Sequence, residues 1–318
     1  MILDRLAKPW YVWRPWQLAR RLQGGWRASG GKQRQMKTAW GIAITADPRT
    51  TIGWSIQTTG VHDLAVTEAL ARLIRPGDTV LDIGAHIGYT VMLAAIAAGC
   101  RGRVIAWEPH PGLFRALEHN VAAMSAEHRA AAVNLRNTAL GSKAGKATLV
   151  RPAPESANDS TSRVVAEGSG ANGELRVGVE TIDDVLGSFA GQPTAARIGV
   201  MKIDAEGGEL DVLAGARGVL EDRRIRHIVF EDHSGPSSDV MRLLRNAGYE
   251  IFALGWTLRG LRIAPAVHGP LAAPYEAPNY IATLSAHEIH ARCAPAGWTT
   301  LRRTFAGRAG KQEADAHS

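Results

Sequence analysis

From residue 79 onward, short apolar runs alternate with longer segments whose apolar residues recur every three or four positions. That rhythm predicts strands alternating with helices. TVLDIGA (79–85), RVIAWEP (103–109) and VNLRNTAL (133–140) read as strands, with YTVMLAAIAAG (89–99) and GLFRALEHNVAAM (112–124) as the helices between them. IGVMKID (198–204) is a fourth core strand, GELDVLAGARGVLED (208–222) its helix, and IRHIVFED (225–232) a fifth strand before a helix at 236–247. YEIFALG (249–255) and NYIATLSA (279–286) close the series. The succession predicts an α/β protein with a mostly parallel sheet and helices on both faces.

Two regions depart from the rhythm. Upstream, WGIAITAD (40–47) and TIGWSIQT (51–58) read as strands around Asp47-Pro48, followed by a helix in DLAVTEALARLI (63–74). In the middle, KATLVRP (146–152) and LRVGVE (175–180) flank a stretch rich in Pro, Ala, Ser, Gly and Asn. This predicts a β-hairpin insertion spanning 141–180, with TIDDVLGSF (181–189) a short helix after it. Residues 261–278 carry four prolines and read as an ordered loop.

Composition adds limits. With 318 residues, 45% hydrophobic and 21% charged, the chain can bury a large core. No run approaches the ~20 apolar residues that span a bilayer. MILDRLAKPW meets charge and proline too early for a signal peptide, and two cysteines, Cys100 and Cys293, build no disulfide framework, so a cytoplasmic location is expected. The net charge of +7 is concentrated in residues 1–37, with nine Lys/Arg, one acid, and four of the nine tryptophans. Such an arm suits packing onto its own domain or a partner copy, and also peripheral contact with an anionic membrane. Pro9 and Pro15 interrupt a continuous amphipathic helix and favour packing. No recognition motif accompanies the basic residues, so no nucleic-acid partner is expected. The expected organisation is an arm at 1–37, a domain at 38–300 with its core at 60–255, and a flexible tail at 301–318.

The chemistry sits at strand ends, where open α/β sheets bind ligands. The first core strand ends LDIGAHIGYT (81–90), with Gly84 and Gly88 flanking the strand-to-helix turn. The second ends at Glu108, placed to accept hydrogen bonds from ribose hydroxyls. The Gly-x-Gly-x-x-Gly of dinucleotide sites is absent. Asp82, just before the glycines, would repel a diphosphate and welcome a cationic sulfonium with its ammonium. The pattern therefore favours S-adenosylmethionine over NAD.

The order VLDIGAHIGYT, VIAWEPHPGLFRALEHNV, NTALGSKAGKATL, VETIDDVL and MKIDAEGGELDVLAGA, over roughly residues 55–255, resembles that of the FkbM-like methyltransferases. The resemblance implies the class I methyltransferase fold, a Rossmann-like, mostly parallel seven-stranded sheet. It also implies S-adenosylmethionine-dependent methyl transfer, mainly to oxygen. Carried over by position, Asp82, Gly84, Ala85, His86 and Gly88 would face the methionine half, Glu108 would hold the ribose with Pro109 beside it, and Asn137 would border the adenine. His86 stands where that family usually has Asn.

The remaining candidates lie on the fourth and fifth strands. Asp204 is the first residue past VMKI, and Asp204 and Glu206 are candidate bases for removing an acceptor's proton. Strand alternation turns Lys202 elsewhere, and Glu209 and Asp211 suit a helix N-terminus. FEDHS adds Glu231, Asp232 and His233, of which Glu231 and His233 are alternative bases. These acids could hold a divalent cation, although one acid facing the site and one facing away is the favoured reading. His110, His119, His128 and His227 read as surface or packing residues. The expected activity is methylation of a hydroxyl on a small molecule or sugar. An N- or carboxyl-methyltransferase, an NAD-dependent oxidoreductase and a non-catalytic nucleoside-binding or membrane-associated protein are the alternatives.

Overall fold

The structure, a computed structural model, describes residues 9–12, 33–150, 163–166, 175–189, 197–271 and 276–301. Most of the basic arm, the tip of the insertion and the tail after 301 lie outside the described residues.

The main sheet is built from β3 (Thr79–Ile83), β4 (Arg103–Trp107), β5 (Ala132–Arg136), β10 (Ile198–Ile203), β11 (Ile225–Glu231), β12 (Glu250–Thr257), β13 (Gly260–Pro265) and β14 (Asn279–Thr283). Its order is β13-β12-β14-β11-β10-β3-β4-β5. The five strands from β5 to β11 are parallel, whereas β14 runs antiparallel between β11 and β12, and β13 pairs antiparallel with β12. This is the Rossmann-like sheet expected, with eight strands among the described residues rather than seven.

Alternation along the strands builds two cores. Val80, Val104, Val200, Val229 and Ile281 pack on one face with α2 (Leu64–Leu73), α3 (Tyr89–Ala98) and α4 (Pro111–Glu127). Leu81, Ile105, Met201, Ile228 and Tyr280 pack on the other with α5 (Ile182–Ser188), α6 (Glu209–Ala214), α7 (Arg217–Glu221) and α8 (Asp239–Asn246). Burial on both faces explains why these strands read as continuous apolar runs.

Several elements differ from expectation for identifiable reasons. Residues Thr51–Thr59 form a helix, α1, rather than a strand. Thr50 accepts a hydrogen bond from the Gly53 N–H at 3.1 Å, and left-handed Gly60 closes the other end on the Ile56 carbonyl. These two caps override the strand preference of a Thr/Ile-rich segment. Strand β2 (Ala43–Ala46) pairs instead with β1 (Arg34–Lys37), so the end of the basic arm joins the folded body. The stretch read as one strand at 133–140 splits after β5, and its last two residues, β6 (Ala139–Leu140), pair with β9 (Leu175–Glu180). The helix at 208–222 breaks at Gly215–Ala216, where Asp183 accepts from the Gly218 and Val219 N–H groups and caps the second piece. Gly260–Pro265, read as loop because of its proline, is the sheet's edge strand, where a missing N–H costs no ladder bond. The end of 279–286 turns helical, because Ser285 caps α9 (Ala286–Cys293).

The insertion forms a second sheet of order β6-β9-β7-β8, with β7 at Gly145–Val150 and β8 at Arg163–Ala166. Glu180, at the end of β9, ties it to the tips of β4 and β5. It accepts from Trp107 Nε1 at 3.1 Å, Thr138 Oγ1 at 2.7 Å and Arg136 Nε at 2.7 Å. The Arg136 hydrogen bonds hold its pKa down to about 2. Among the described residues no helix is long and apolar enough to cross a membrane.

Candidate functional site

A cavity of about 880 Å³ opens at the carboxyl ends of β3, β4, β10 and β11. Gly84, Ala85, His86, Glu108 and Pro109 line one part of it, and Asp204, Glu206, Glu231 and His233 another. Asp82, Gly88 and Asn137 do not line it.

The turn after β3 is shaped by close backbone approach. Gly84 has φ +75°, and a Cβ there would sit 1.9 Å from the Asp204 carbonyl oxygen. Only glycine lets the β3 and β10 ends meet this closely. The Gly84 and Ala85 N–H groups donate to the Trp107 carbonyl at 3.1 and 2.9 Å, while the Asp204 N–H donates to the Ile83 carbonyl at 3.1 Å. Three strand ends are thereby locked in register.

Beneath this turn lies a buried charge cluster. Lys202 Nζ donates to the Gly84 carbonyl at 2.9 Å and lies 3.4 Å from Asp82 Oδ1 and 3.3 Å from Asp204 Oδ2. Burial opposes the lysine's charge, but Asp204 and Asp82 override it and raise its pKa. Lys202 therefore does not turn away from the site. Residues two apart share a strand face, so it stands with Asp204 on its own strand, and it pairs in register with Asp82. Asp82 itself is buried and accepts from Thr90 Oγ1 at 2.5 Å. Burial raises its pKa against the pull of Lys202.

Glu108 is buried and pinned: Oε2 accepts from the His86 N–H at 2.9 Å and Oε1 from the His110 N–H at 2.8 Å. Burial raises its pKa to about 7 in spite of both bonds. Asn137 braces the same strand end, its Nδ2 donating to the Glu108 carbonyl at 2.8 Å and the Pro109 carbonyl at 3.2 Å. His110 caps α4 through Nδ1, and His227 is buried with Nδ1 2.9 Å from Thr283 Oγ1, so both serve the fold.

On the acid side, Glu209 does more than face the helix dipole. Its Oε1 accepts from the Ala205 and Gly207 N–H groups at 3.1 Å each and knits the turn that displays Glu206. Desolvation, followed by the charges of Asp204, Glu231 and Glu209, raises Glu206 to about 7. Glu206 is an exposed residue on the cavity rim. Glu231 Oε1 lies 2.5 Å from His233 Nε2, and burial together with Asp204 raises the Glu231 pKa. Asp232 faces away from the cavity, where it accepts from the Ser234 N–H at 2.8 Å and from Ser238 Oγ. Among the described residues no group of three or more His, Cys, Asp or Glu converges closely enough to hold a metal ion.

Two residues missed in the sequence complete the site: His62 and Asp63, just before α2. Asp63 Oδ1 caps α2 by accepting from the Val66 N–H at 3.0 Å, and Oδ2 accepts from Asn279 Nδ2 at 2.8 Å. Asp63 is exposed to the cavity, and desolvation by the protein around it raises its pKa to about 6. Asp63, His86 and Glu206 have φ of 43°, 51° and 50°, so three of the four described non-glycine residues in the left-handed region line this one cavity. Such backbone persists where surrounding structure enforces it, typically at ligand sites.

Residues 82–251 match the Methyltransferase FkbM domain. The chain is 30% identical over 211 residues to 31-O-demethyl-FK506 methyltransferase FkbM of Streptomyces tacrolimicus, covering 57% of this chain and 75% of that protein. It is also 30% identical over 193 residues to hexuronic acid methyltransferase AglP of Haloferax volcanii, covering 59% and 71%. A solved structure titled Methyltransferase FkbM, from Methylobacillus flagellatus KT, aligns at 16% identity with a TM-score of 0.40, over 73% of this chain and 56% of that one. The chain belongs to the FkbM methyltransferase family.

Proposed function

We propose that the protein transfers a methyl group from S-adenosylmethionine to a hydroxyl of a small molecule or sugar. The observation that carries this reading is the convergence on one cavity of the glycine turn after β3, pinned Glu108 and the acids after β10 and β11. When bound, S-adenosylmethionine supplies an electrophilic methyl group on a cationic sulfur. The residues present fit such a group. The charges of Asp204 and Glu231 raise the proton affinity of Glu206, and that of Asp204 raises Glu231, and a nearby cation relieves the repulsion. Glu108 keeps lone pairs beyond its two backbone bonds, which suit the paired hydroxyls of a ribose. Gly84, Ala85, His86 and Pro109 share its end of the cavity. Asp82, Gly88 and Asn137 act one layer back, through Lys202, the helix start and the β4 end.

The acceptor enters between the β10 and β11 ends and the walls that residues 141–180 and 256–278 contribute, including Leu149, Val164, Trp256 and Glu276. The acceptors named in the relatives, 31-O-demethyl-FK506 and a hexuronic acid, support a small molecule or sugar. Asp204 supplies the negative charge that loss of the acceptor's proton requires. Lys202 holds its carboxylate in place.

Calorimetric titration is expected to show S-adenosylmethionine and S-adenosylhomocysteine binding with no comparable NAD binding, and the reverse result would overturn the reading. Asp204→Asn keeps the shape and removes the charge. It is expected to leave S-adenosylhomocysteine affinity near that of the intact protein while slowing transfer roughly a hundredfold. Radiolabel transfer from S-adenosylmethionine into an extract of the source cells measures that rate. Normal transfer by Asp204→Asn would move the essential charge to the Glu231–His233 pair.

A further inference from the structure

We propose that His62 is a catalytic residue: its imidazole takes the proton from the acceptor hydroxyl, and Asp204 holds the resulting imidazolium. This rests on the methyl-transfer reading and names the proton's destination within it.

The geometry carries the assignment. His62 lines the cavity together with Lys202 and Asp204. Its ring meets Tyr89 edge-on, with centroids 6.3 Å apart and planes at 89°. Tyr89 is fixed in turn by Trp40 Nε1, which donates to its hydroxyl at 3.2 Å, and by Thr67 Oγ1 at 3.2 Å. The His62 carbonyl accepts from Thr67 Oγ1 at 2.7 Å, and the next residue, Asp63, is anchored at both carboxylate oxygens. An imidazole on so rigid a support has a defined direction, which proton transfer requires. Among the described residues no hydrogen bond reaches its ring nitrogens, so a lone pair is available to a ligand.

Three of the other candidate bases, Asp204, Glu231 and His233, are already engaged, and the fourth, Glu206, stands exposed at the rim. Asp204 lies against Lys202 and Glu231 is bound to His233. The charged groups acting on the His62 ring are Asp204 and Lys202, both from the β10 end. Burial lowers its pKa to about 4, with Asp204 raising it and Lys202 lowering it. Burial thus favours the neutral ring, whose lone pair can accept a proton.

The step balances. The acceptor O–H proton passes to an imidazole nitrogen as the oxygen bonds to the methyl carbon. The S–CH₃ bond breaks, its electron pair remains on sulfur, and a neutral thioether leaves. The imidazolium, stabilised by Asp204 until the products leave, then returns its proton to water.

The test uses the full-length protein and three readouts. His62→Ala and His62→Asn are expected to bind S-adenosylhomocysteine within about threefold of the intact protein by calorimetry, and to lose radiolabel transfer by roughly a hundredfold or more. Added free imidazole is expected to restore transfer at least tenfold to His62→Ala, which leaves room for it, and not to bulkier His62→Asn. Near-normal transfer by both variants, or loss in His62→Ala that imidazole does not relieve, would overturn the proposal. Loss of S-adenosylhomocysteine binding in both variants would make His62 structural and overturn it equally. If the intact protein binds S-adenosylhomocysteine but labels nothing in the extract, the methyl-transfer reading fails, and this one with it.

Discussion

Lys202→Met is expected to cost about 3–5 kcal/mol of stability, the range for removing one partner of a buried ion pair. The lysine is the only cation in contact with Asp82 among the described residues, and Asp82 is 1% exposed. Without Lys202 that carboxylate keeps only its hydrogen bond from Thr90, and the Gly84 carbonyl loses its donor. For a domain of this size the loss lowers the melting temperature by about 6–20 °C. The pH dependence has a definite sign. Burial already raises Asp82, and loss of Lys202 raises it further above its unfolded value. A carboxyl of that kind destabilises the fold once pH exceeds its unfolded pKa, and protonation removes the penalty. The deficit of the variant relative to the intact protein should therefore shrink from pH 8 to pH 5. Asp82→Asn added to Lys202→Met should recover part of the loss at pH 8. Thermal unfolding at the two pH values measures both effects, and equal deficits would mean that Asp82 is not the residue left uncompensated.

Gly84→Ala is expected to reach the site through the backbone. Left-handed φ costs an L-residue about 1–2 kcal/mol, and forcing an added methyl into a packed position about 1–3 kcal/mol more. The obstacle is the Asp204 carbonyl, a backbone atom that cannot rotate aside. The β3 and β10 ends must separate, which moves Asp204, Lys202 and the Gly84 carbonyl together. A lowered melting temperature and at least tenfold weaker S-adenosylhomocysteine binding are the expected results. A variant that melts and binds like the intact protein would show that the two strand ends are not rigidly apposed.

How far the site could be read from sequence depended on how local each signal was. Gly84 and Glu108 are marked by their places at strand ends, and alternation placed Val80, Val104 and Val200 on one face with Leu81, Ile105 and Met201 on the other. Lys202 was misread although alternation was the right rule. Its partner Asp82 lies 120 positions away on a neighbouring strand, and only register brings the two together. His62 and Asp63 precede a helix and look like capping residues, which Asp63 indeed is. Their second role exists only because Asn279, from the other end of the chain, and Asp204 come to meet them. The α1 helix was hidden for the opposite reason: its residues favour strand, and its caps decide the outcome.

The antiparallel strand β14 has a consequence for how the chain assembles. It is the last strand of the sheet in chain order, yet it lies inside the sheet, bridging β11 and β12. During synthesis the β12–β13 hairpin has no sheet partner until residues 279–283 emerge. Both the hairpin and the open edge of β11 must wait for a contact of long sequence separation, the kind that slows folding and leaves unpaired edges exposed meanwhile. The stretch matching the family ends at residue 251, before this strand begins. A fragment cut at that boundary would carry the family's motifs on a sheet whose β11 edge stays open. In this protein the unit of recognition and the unit of folding end at different residues.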